Sequence, residues 1–418
     1  MQNGFDFVIV GGGSAGAALA ARLSEDPNVN VALIEAGDRP PEREQMPVAC
    51  ASLQLDTETD WMFTGDPGKG GLGFKNRRMP VPRGKMLGGS SGINYMVFVR
   101  GHPGDFDNWE RLGADGWSYD DVLPCFKRME EVSETNEAVI SREVRGNAGP
   151  VGVGIRSPVI PASRDFVKAA GTAGIPEGDY NGSGRHNLGG VASLVQTNTR
   201  HGKRSSTFHA YLENNAELRP NLTIITQAQV QRLVLEGEGD SLIATGVEYR
   251  DDSGSIRSIA ASRELVIASA DPSVPPVINF NYFSDPYDLK VIVAIMRRVL
   301  EIAAAWPGEK KLGNWLIPPM LAKIHGFVEG EEPSDALLEN HALHFAQTIY
   351  HLSCTCRIGS VVDPKLRVFG VKNLRVADAS IMPEIPSGNI NAPSIMIGER
   401  AAELIGSDHG VRMVCQGN

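Results

Sequence analysis

The sequence is poor in cysteine, in clustered basic residues and in long apolar runs, and each shortage argues against a class of protein. Five cysteines in 418 residues form an odd, sparse set, which does not indicate a disulfide framework. The formal net charge of −10 argues against a nucleic-acid partner, because phosphate binding requires a basic stripe. No apolar run reaches the roughly 18 residues that span a membrane, so no transmembrane segment is predicted.

The amino-terminal segment and the cysteine spacing argue against two further features. The first residues, MQNGFDFVIVGGG, contain Asp6 and no basic stretch, so we predict no signal peptide and a cytoplasmic location. His351, Cys354 and Cys356 form an H-x2-C-x-C cluster, but no second pair stands at zinc-ligand spacing. We therefore predict no metal site and interpret both cysteines as small buried side chains.

The chain is rich enough in apolar residues to build one large core or two smaller ones, because 42% of it is hydrophobic. Helix-like and strand-like segments alternate along its whole length, which indicates an α/β or α+β architecture. Residues 285–305 repeat apolar side chains at helical spacing, which predicts a helix with one face in the core.

The first 35 residues have the pattern of a dinucleotide-binding unit. A buried strand is predicted at Phe5–Val10, followed by a helix at 17–23 and a second strand at 29–34. The turn after the first strand carries a GxGxxG motif, on Gly11, Gly13 and Gly16. The first glycine permits a tight turn, the second lets backbone approach a pyrophosphate, and the third lets helix and strand pack closely.

Two further features complete this predicted site. The start of the helix offers unpaired N–H groups and a positive dipole end to phosphates. Glu35, at the end of the second strand, can accept hydrogen bonds from a ribose diol. The predicted ligands in this segment are Gly11, Gly13, Ser14, Ala15, Gly16 and Glu35. The motif alone does not separate NAD from FAD.

A second glycine-rich segment, PRGKMLGGSSGIN, occupies residues 82–94. Four glycines and two serines between Gly84 and Gly92 disfavour a stable helix interior. Such a loop can wrap backbone N–H donors around an extended ligand. The alternative interpretation is an ordinary surface loop.

This loop and the following YMVFVRGHPGDFDNW resemble the first signature of the glucose–methanol–choline (GMC) oxidoreductases. The amino-terminal GGGSAGAALAARLSEDPNVNVALIEAG is similar to that family's FAD-binding start. The resemblance implies FAD as the cofactor, with Gly88, Gly89 and Asn94 along its pyrophosphate and near the flavin. Some members attach the flavin covalently through a His just before that Asn. Ile93 stands there in this chain, so the resemblance implies FAD held without a covalent bond.

The carboxy-terminal segment, from TIYHLSCTCRIG at 348–359 to ERAAELI, closely resembles the catalytic region of the same family. By this resemblance the catalytic residues are His351 and Asn389, and the further FAD contacts are Asp378, Ala379, Asn391 and, at the adenine end, Val230. Leu352 and Cys354 stand where the family usually has Pro and Gly, which implies a local difference in backbone.

Oxidation of an alcohol to an aldehyde suits such a pair, because it removes a hydroxyl proton and sends a hydride to flavin N5. A neutral imidazole such as His351 accepts a proton at physiological pH, and the amide of Asn389 can orient the substrate oxygen. The alternative for His351, one of nine histidines, is a structural role. The predicted partners are a small-molecule alcohol and an electron acceptor. Whether that acceptor is oxygen, which alcohol is used and which oligomer forms stay open.

The middle of the chain departs from the family pattern. Typical members continue after a strand like 264–267 into a second signature and a long stretch of substrate-domain sheet. Here Ala268 leads through Pro272 directly to VPPVIN at 274–279, and the clustered prolines exclude a crossover helix. The chain is therefore internally shortened, either in the natural protein or through an incomplete gene model.

We predict an α/β protein with a Rossmann-like FAD-binding domain and a second, reduced α+β substrate domain. The first comprises 1–153, 195–271 and 363–418, and the second comprises 154–194 and 272–362. The leading function is FAD-dependent alcohol oxidation. Since a shortened domain leaves the flavin open to water, the alternative is a flavin-binding protein with little or no activity. An NAD-dependent dehydrogenase has support from the first motif alone.

Overall fold

The computed structural model describes residues 4–133, 138–155, 158–184, 190–268, 276–307, 317–328 and 330–413. The α-helices in these ranges are α1 (Ser14–Leu23), α2 (Cys50–Leu53), α3 (Ser90–Ile93), α4 (Pro103–Arg111), α5 (Tyr119–Met129), α6 (Pro161–Thr172), α7 (Pro286–Ala304), α8 (Pro319–His325), α9 (Asp335–Phe345) and α10 (Asn391–His409). The strands are β1 (Phe5–Val10), β2 (Val31–Ile34), β3 (Phe63–Gly68), β4 (Met79–Val81), β5 (Glu130–Val132), β6 (Val151–Ile155), β7 (Gln196–Thr197), β8 (Thr199–Arg200), β9 (Lys203–Arg204), β10 (Leu222–Ile225), β11 (Gln229–Glu236), β12 (Ile243–Arg250), β13 (Ile256–Ile267), β14 (Ile278–Tyr282) and β15 (Leu374–Val376).

A mixed sheet forms the centre of the molecule, with strand order β10-β2-β1-β13-β12-β11 and β15 beside β13. Strands β10, β2, β1, β13 and β15 run parallel to one another, while β12 and β11 continue the sheet in antiparallel pairs. Strands β1 and β15, which are far apart in the sequence, thus both pair with β13. The predicted α/β class, with a Rossmann-like nucleotide-binding part, is confirmed.

Both faces of β1 are buried, because successive side chains of a strand point to opposite sides. Phe7 and Ile9 belong to the larger core with α1 and α10, and Val8 belongs to a second core on the other face of the sheet. Helices α1 and α10 approach closely at Gly398, where a Cβ atom would lie 2.3 Å from the carbonyl oxygen of Ala15. This contact places the last long helix directly beside the first one.

The predicted bounds of two elements differ from the observed ones. The first helix begins at Ser14, earlier than the predicted 17, because Gly13 already has the extended backbone of a helix N-cap. The strand predicted at 264–267 is the end of the twelve-residue β13. Its first residues are mostly exposed, so the apolar pattern marked only the part that enters the core.

The remaining elements form smaller layers around α6, α7 and α9. Helix α7 packs Val293 against Leu337 and Leu338 of α9, and Ile302 packs beside α6. The prediction that one face of this helix is buried is therefore met only in part, since Ile295 is 53% exposed. A separate small sheet has the order β14-β3-β4. Of the residues of α7, only Val293 and Ile302 are buried.

Apart from Ala268, the predicted seam at 268–272 lies outside the described residues. The proposed division into an FAD-binding domain and a substrate-domain remnant stays a prediction. No helix in the described ranges combines the length and the apolar character needed to cross a bilayer.

Candidate active site

The GxGxxG segment makes a tight turn between β1 and α1. Gly11 has a φ of +99°, a conformation that favours glycine, and its N–H donates to the carbonyl of Ile34 at 2.7 Å. A Cβ atom at Gly16 would lie 1.9 Å from the Gly11 carbonyl oxygen, so this position requires glycine. Helix α1 begins at Ser14 without a side-chain cap, which leaves its first N–H groups available to an anion.

Glu35 stands at the end of β2 and is 6% exposed. Its carboxylate accepts hydrogen bonds from the N–H groups of Gly12, at 2.8 Å, and Gly37, at 2.9 Å. Burial raises the pKa of Glu35 to about 7, and these two N–H groups oppose the rise. The Ala228 N–H donates to the Glu35 carbonyl at 2.9 Å, which brings the start of β11, including Val230, to the same end of the site.

The second glycine-rich segment lies directly against the first. The N–H of Gly88 donates to the carbonyl of Gly12 at 2.7 Å, and a Cβ atom at Gly89 would lie 2.7 Å from the Gly13 Cα atom. Gly88 and Gly89 have φ values of +90° and +50°. The only helical residues in this loop are the single turn of α3. Backbone from two distant parts of the sequence therefore builds one wall.

Asn94 follows α3 and is held by the buried side chain of Arg204. The Arg204 Nη1 atom donates to the backbone carbonyl of Asn94 at 2.8 Å and to its Oδ1 atom at 2.9 Å. The Met96 N–H donates to the same Oδ1 atom at 2.9 Å. Ile93, which is 2% exposed, carries no atom that forms a covalent flavin bond.

A hydrogen bond joins the two ends of the chain at the site. The Oγ atom of Ser14, the first residue of α1, donates to the Oδ1 atom of Asn391, the first residue of α10, at 2.9 Å. The Asn391 Nδ2 atom donates to Asn198 at 3.4 Å. Residues 377 positions apart thus meet beside the predicted pyrophosphate turn.

Asp378 and Ala379 follow β15 and shape the segment that carries His351. Asp378 accepts a hydrogen bond from the N–H of Ser380 at 2.8 Å. The Ala379 carbonyl accepts from the N–H of Cys354 at 3.2 Å. The chain after His351 is therefore tied to the carboxyl end of a strand in the main sheet.

His351 and Asn389 lie in contact, with Nε2 and Nδ2 at 2.9 Å. Because an amide NH2 group only donates, this geometry requires an imidazole Nε2 atom without a proton. Burial lowers the pKa of His351, a backbone hydrogen bond at Tyr350 opposes this effect, and the charge of Arg83 adds a smaller lowering. His351 is thus neutral at physiological pH and able to accept a proton.

Both side chains line an open cleft with about 680 Å³ of empty space. Ser14, Asn94 and Asn391 line the same cleft, so it collects predicted residues from three separate segments. Other residues that line it were not predicted: Arg83, Tyr95 and Tyr350. Arg83 lies inside the glycine-rich segment 82–94, next to Gly84, and nothing in its spacing singled it out.

The H-x2-C-x-C cluster near His351 does not gather around one point. Within the described ranges, no three His, Cys, Asp or Glu side chains converge on a metal position. Cys354 and Cys356 are free thiols and are half-buried rather than buried, which corrects the sequence-based interpretation. The Cys356 N–H donates to the Ser380 carbonyl at 2.9 Å, so the backbone of this cluster supports the wall of the cleft.

Comparison with known families identifies the class of protein. The amino-terminal model of the GMC oxidoreductases matches residues 5–280, and the carboxy-terminal GMC oxidoreductase model matches residues 263–398. The chain belongs to the GMC oxidoreductase family. Its cofactor is FAD, and it falls among enzymes that act on CH–OH donors.

Particular relatives lie within this class. The chain is 31% identical to an oxygen-dependent choline dehydrogenase of Sinorhizobium fredii, in an alignment that covers 96% of this chain and 95% of the relative. Among solved structures, the pyridoxine 4-oxidase from Mesorbium loti has a TM-score of 0.81 at 24% identity and covers 97% of this chain and 100% of its own. An FAD-dependent oxidoreductase from Chaetomium thermophilum reaches a TM-score of 0.84 at 20% identity, covering 98% of this chain and 100% of its own. These structural likenesses concern the fold.

The alignment with the choline dehydrogenase also bears on the shortened middle. It extends over 553 positions, and 553 minus the 418 residues of this chain leaves at least 135 positions without a counterpart here. Because the alignment spans 96% of this chain and 95% of the relative, the chain is internally shortened relative to this relative. The two family models meet at 263–280, the region that contains the predicted seam.

The residues around the cleft fit FAD. At Gly13 a Cβ atom would meet nothing closer than 3.9 Å, so the glycine leaves open space where a pyrophosphate would approach the backbone. The buried carboxylate of Glu35 has hydrogen-bond acceptor capacity for a ribose diol, and the free amide groups at the start of α1 suit the phosphates. His351 and Asn389 stand in the same cleft as Ser14, as one elongated ligand requires.

Proposed function

We propose that this protein oxidises a small-molecule alcohol to an aldehyde with FAD, using His351 as the base and Asn389 as the ligand of the substrate oxygen. The single observation that carries the proposal is the 2.9 Å contact between these two side chains in the cleft that also contains Ser14 and Asn391. The imidazole of His351 and the amide of Asn389 lie next to each other, and Ser14 of the dinucleotide turn lines the same cleft.

Each side chain has a defined task. The unprotonated Nε2 atom of His351 accepts the hydroxyl proton of the alcohol, and the lowered pKa keeps that atom free of protons at neutral pH. The Nδ2 group of Asn389, which donates to the imidazole in this structure, is placed to donate to the substrate oxygen instead. A substrate hydroxyl between the two is both held and deprotonated.

FAD, when bound, supplies the hydride acceptor at flavin N5. The protein orients the alcohol carbon toward that acceptor and limits the access of water. The chain is internally shortened relative to the choline dehydrogenase relative, and this shortening bears on how well water is excluded, whereas the base and the amide do not depend on it.

The test is anaerobic reduction of the bound flavin by a panel of alcohols, followed at about 450 nm. The panel includes choline and pyridoxine, the alcohols named for two relatives, together with aliphatic, aromatic and polyol alcohols. Replacing His351 with Ala should leave FAD bound and slow flavin reduction at least about tenfold. The matched control is His201→Asn, at an exposed histidine with a φ of +51°, which should reduce at the unchanged rate.

The second candidate is a flavin-binding protein with little or no turnover. The observation in its favour is the incomplete cover of α7, where Ile295 stays 53% exposed. Yellow protein that no alcohol of the panel bleaches, with His351→Ala indistinguishable from the parent, would favour this candidate over the alcohol oxidation. Rapid bleaching by any one alcohol would exclude it.

A further inference from the structure

Arg83 is a charged residue of the cleft with no task in the proposed chemistry so far. It lines the cleft together with His351 and Asn389. Its Nη1 atom donates to the backbone carbonyl of Tyr350 at 3.2 Å, next to His351 in the sequence. Its own backbone N–H donates to Asp60 at 2.9 Å. Both ends of the residue are therefore fixed, and the guanidinium group is held at the cleft.

The charge of Arg83 is not neutralised by an ion pair within the described residues. Asp60 and Asp378 interact with it only through space, and Asp60 receives backbone N–H groups instead. Two buried arginines do have close carboxylate partners: Arg22 pairs with Glu399 at 2.9 Å and Arg375 with Glu264 at 2.6 Å. Arg83, which is half-buried, has no such partner among the described residues, and burial lowers its pKa.

An unpaired guanidinium beside a cleft is costly to keep, since a desolvated charge without a partner destabilises the fold. Arginine does not escape this cost by losing its proton. Its planar donor fork suits carboxylates and other oxyanions. The remaining donors of Arg83 are therefore suited to bind negative charge in the cleft.

We propose that Arg83 is an anion-binding residue of the active cleft, which binds a small oxyanion beside His351 and Asn389. In turnover the same guanidinium stabilises the negative charge that develops when the alcohol loses its proton. This second statement rests on the proposed function. The binding of a small anion does not, because it can be measured without any alcohol.

The first measurement uses the FAD-loaded parent protein and two ligands of equal shape, acetate and acetamide. At about pH 8 the imidazole of His351 is neutral, and burial raises the pKa of Tyr350, so Arg83 is the cation that lines the cleft. Acetate should perturb the flavin absorbance with at least about tenfold higher affinity than acetamide, the factor expected for a charge-assisted hydrogen bond. Equal affinities would overturn the proposal whatever the variants do.

The second measurement uses variants and sulfite. Sulfite adds through sulfur to flavin N5, and the electron pair displaced from the ring moves to the N1–C2=O region, with no leaving group. Arg83→Met should weaken both acetate and sulfite binding at least about tenfold, and Arg83→Lys should retain part of the affinity because it keeps the charge. Arg78→Met, which removes an exposed arginine that bonds Thr64, is the matched control and should change neither.

Three outcomes are decisive. Weakened anion binding with FAD still bound supports the proposal. Unchanged anion binding in Arg83→Met refutes it and leaves the residue a support for the Tyr350 carbonyl. Loss of FAD from the folded variant also refutes it, because Arg83 would then bind the cofactor itself. If Arg83→Met does not fold, the relative affinities of the parent protein for acetate and acetamide test the proposal. None of these results depends on whether an alcohol is oxidised.

Discussion

Binding of FAD should strengthen as the pH rises, and Glu35 should be the cause. In the protein without cofactor, burial raises the pKa of this carboxyl from 4.5 to about 7. The hydrogen bonds from the N–H groups of Gly12 and Gly37 do not compensate for the hydration that the carboxylate loses on burial. A ribose diol adds hydroxyl donors to the carboxylate, and hydrogen bonds to the charged form lower a pKa. FAD binding therefore releases a proton from Glu35.

The sign and the size of the effect follow from the raised pKa. A carboxyl with a raised pKa contributes stability that is fully present below 4.5 and is lost as the pH rises through about 7. Over that window the free energy of unfolding of the protein without FAD falls by about 3 kcal/mol at most. If the ribose returns the pKa to its ordinary value, FAD affinity rises by at most about 300-fold over the same window, and it levels off above it.

The assay is titration of the cofactor-free protein with FAD between about pH 5 and pH 8, followed by flavin fluorescence, with proton release measured by calorimetry in two buffers. Glu35→Gln should bind FAD more weakly at high pH and lose most of the pH dependence. Glu58→Gln, at an exposed glutamate, should behave as the parent protein. A parent affinity that is flat with pH, or a Glu35→Gln variant with the parent slope, would refute the assignment of the proton to Glu35.

Two further changes test the packing that holds the site. Gly16→Ala puts a Cβ atom 1.9 Å from the Gly11 carbonyl oxygen, so we expect loss of bound FAD and a lower Tm. Gly171→Ala, in helix α6 with open space around it, should keep FAD bound and should not lower the Tm. Tyr211→Phe removes a 2.6 Å hydrogen bond to the buried Glu399 carboxylate and should lower the free energy of unfolding by about 1.5–3 kcal/mol in urea. An unchanged free energy of unfolding would show that the hydrogen bond from the Tyr211 hydroxyl to Glu399 does not stabilise the fold.

The first nucleotide-binding unit could be predicted from the sequence because its determinants are local. Strand β1 has the predicted bounds, Phe5–Val10, since every residue from Phe7 to Val10 is buried and apolar. The glycines of the turn follow it at once, and Glu35 comes directly after the next strand. Each of these features depends on neighbours in sequence, which a periodic pattern records.

The meeting of distant segments could not be derived from any local pattern. The bonds from Ser14 to Asn391 and from Gly88 to Gly12 depend on how the sheet and the helices pack. Resemblance to the GMC family placed the correct segments together before the structure did. It did not point to Arg83, because a lone arginine next to glycines has no distinctive spacing.

The exposure of Ile295 was missed for a related reason. Helical periodicity shows which side chains share a face of a helix, but it does not show whether another layer packs on that face.

The hydrogen bond between the starts of α1 and α10 has a consequence for biosynthesis. A ribosome adds Asn391 to the chain 377 residues after Ser14, so the cofactor cavity cannot close until the growing chain has passed that residue. Flavin can then act only after this point of synthesis, where it shifts the folding equilibrium by mass action. A cell short of the vitamin should accumulate complete but loosely closed protein, which proteases degrade from the unliganded state.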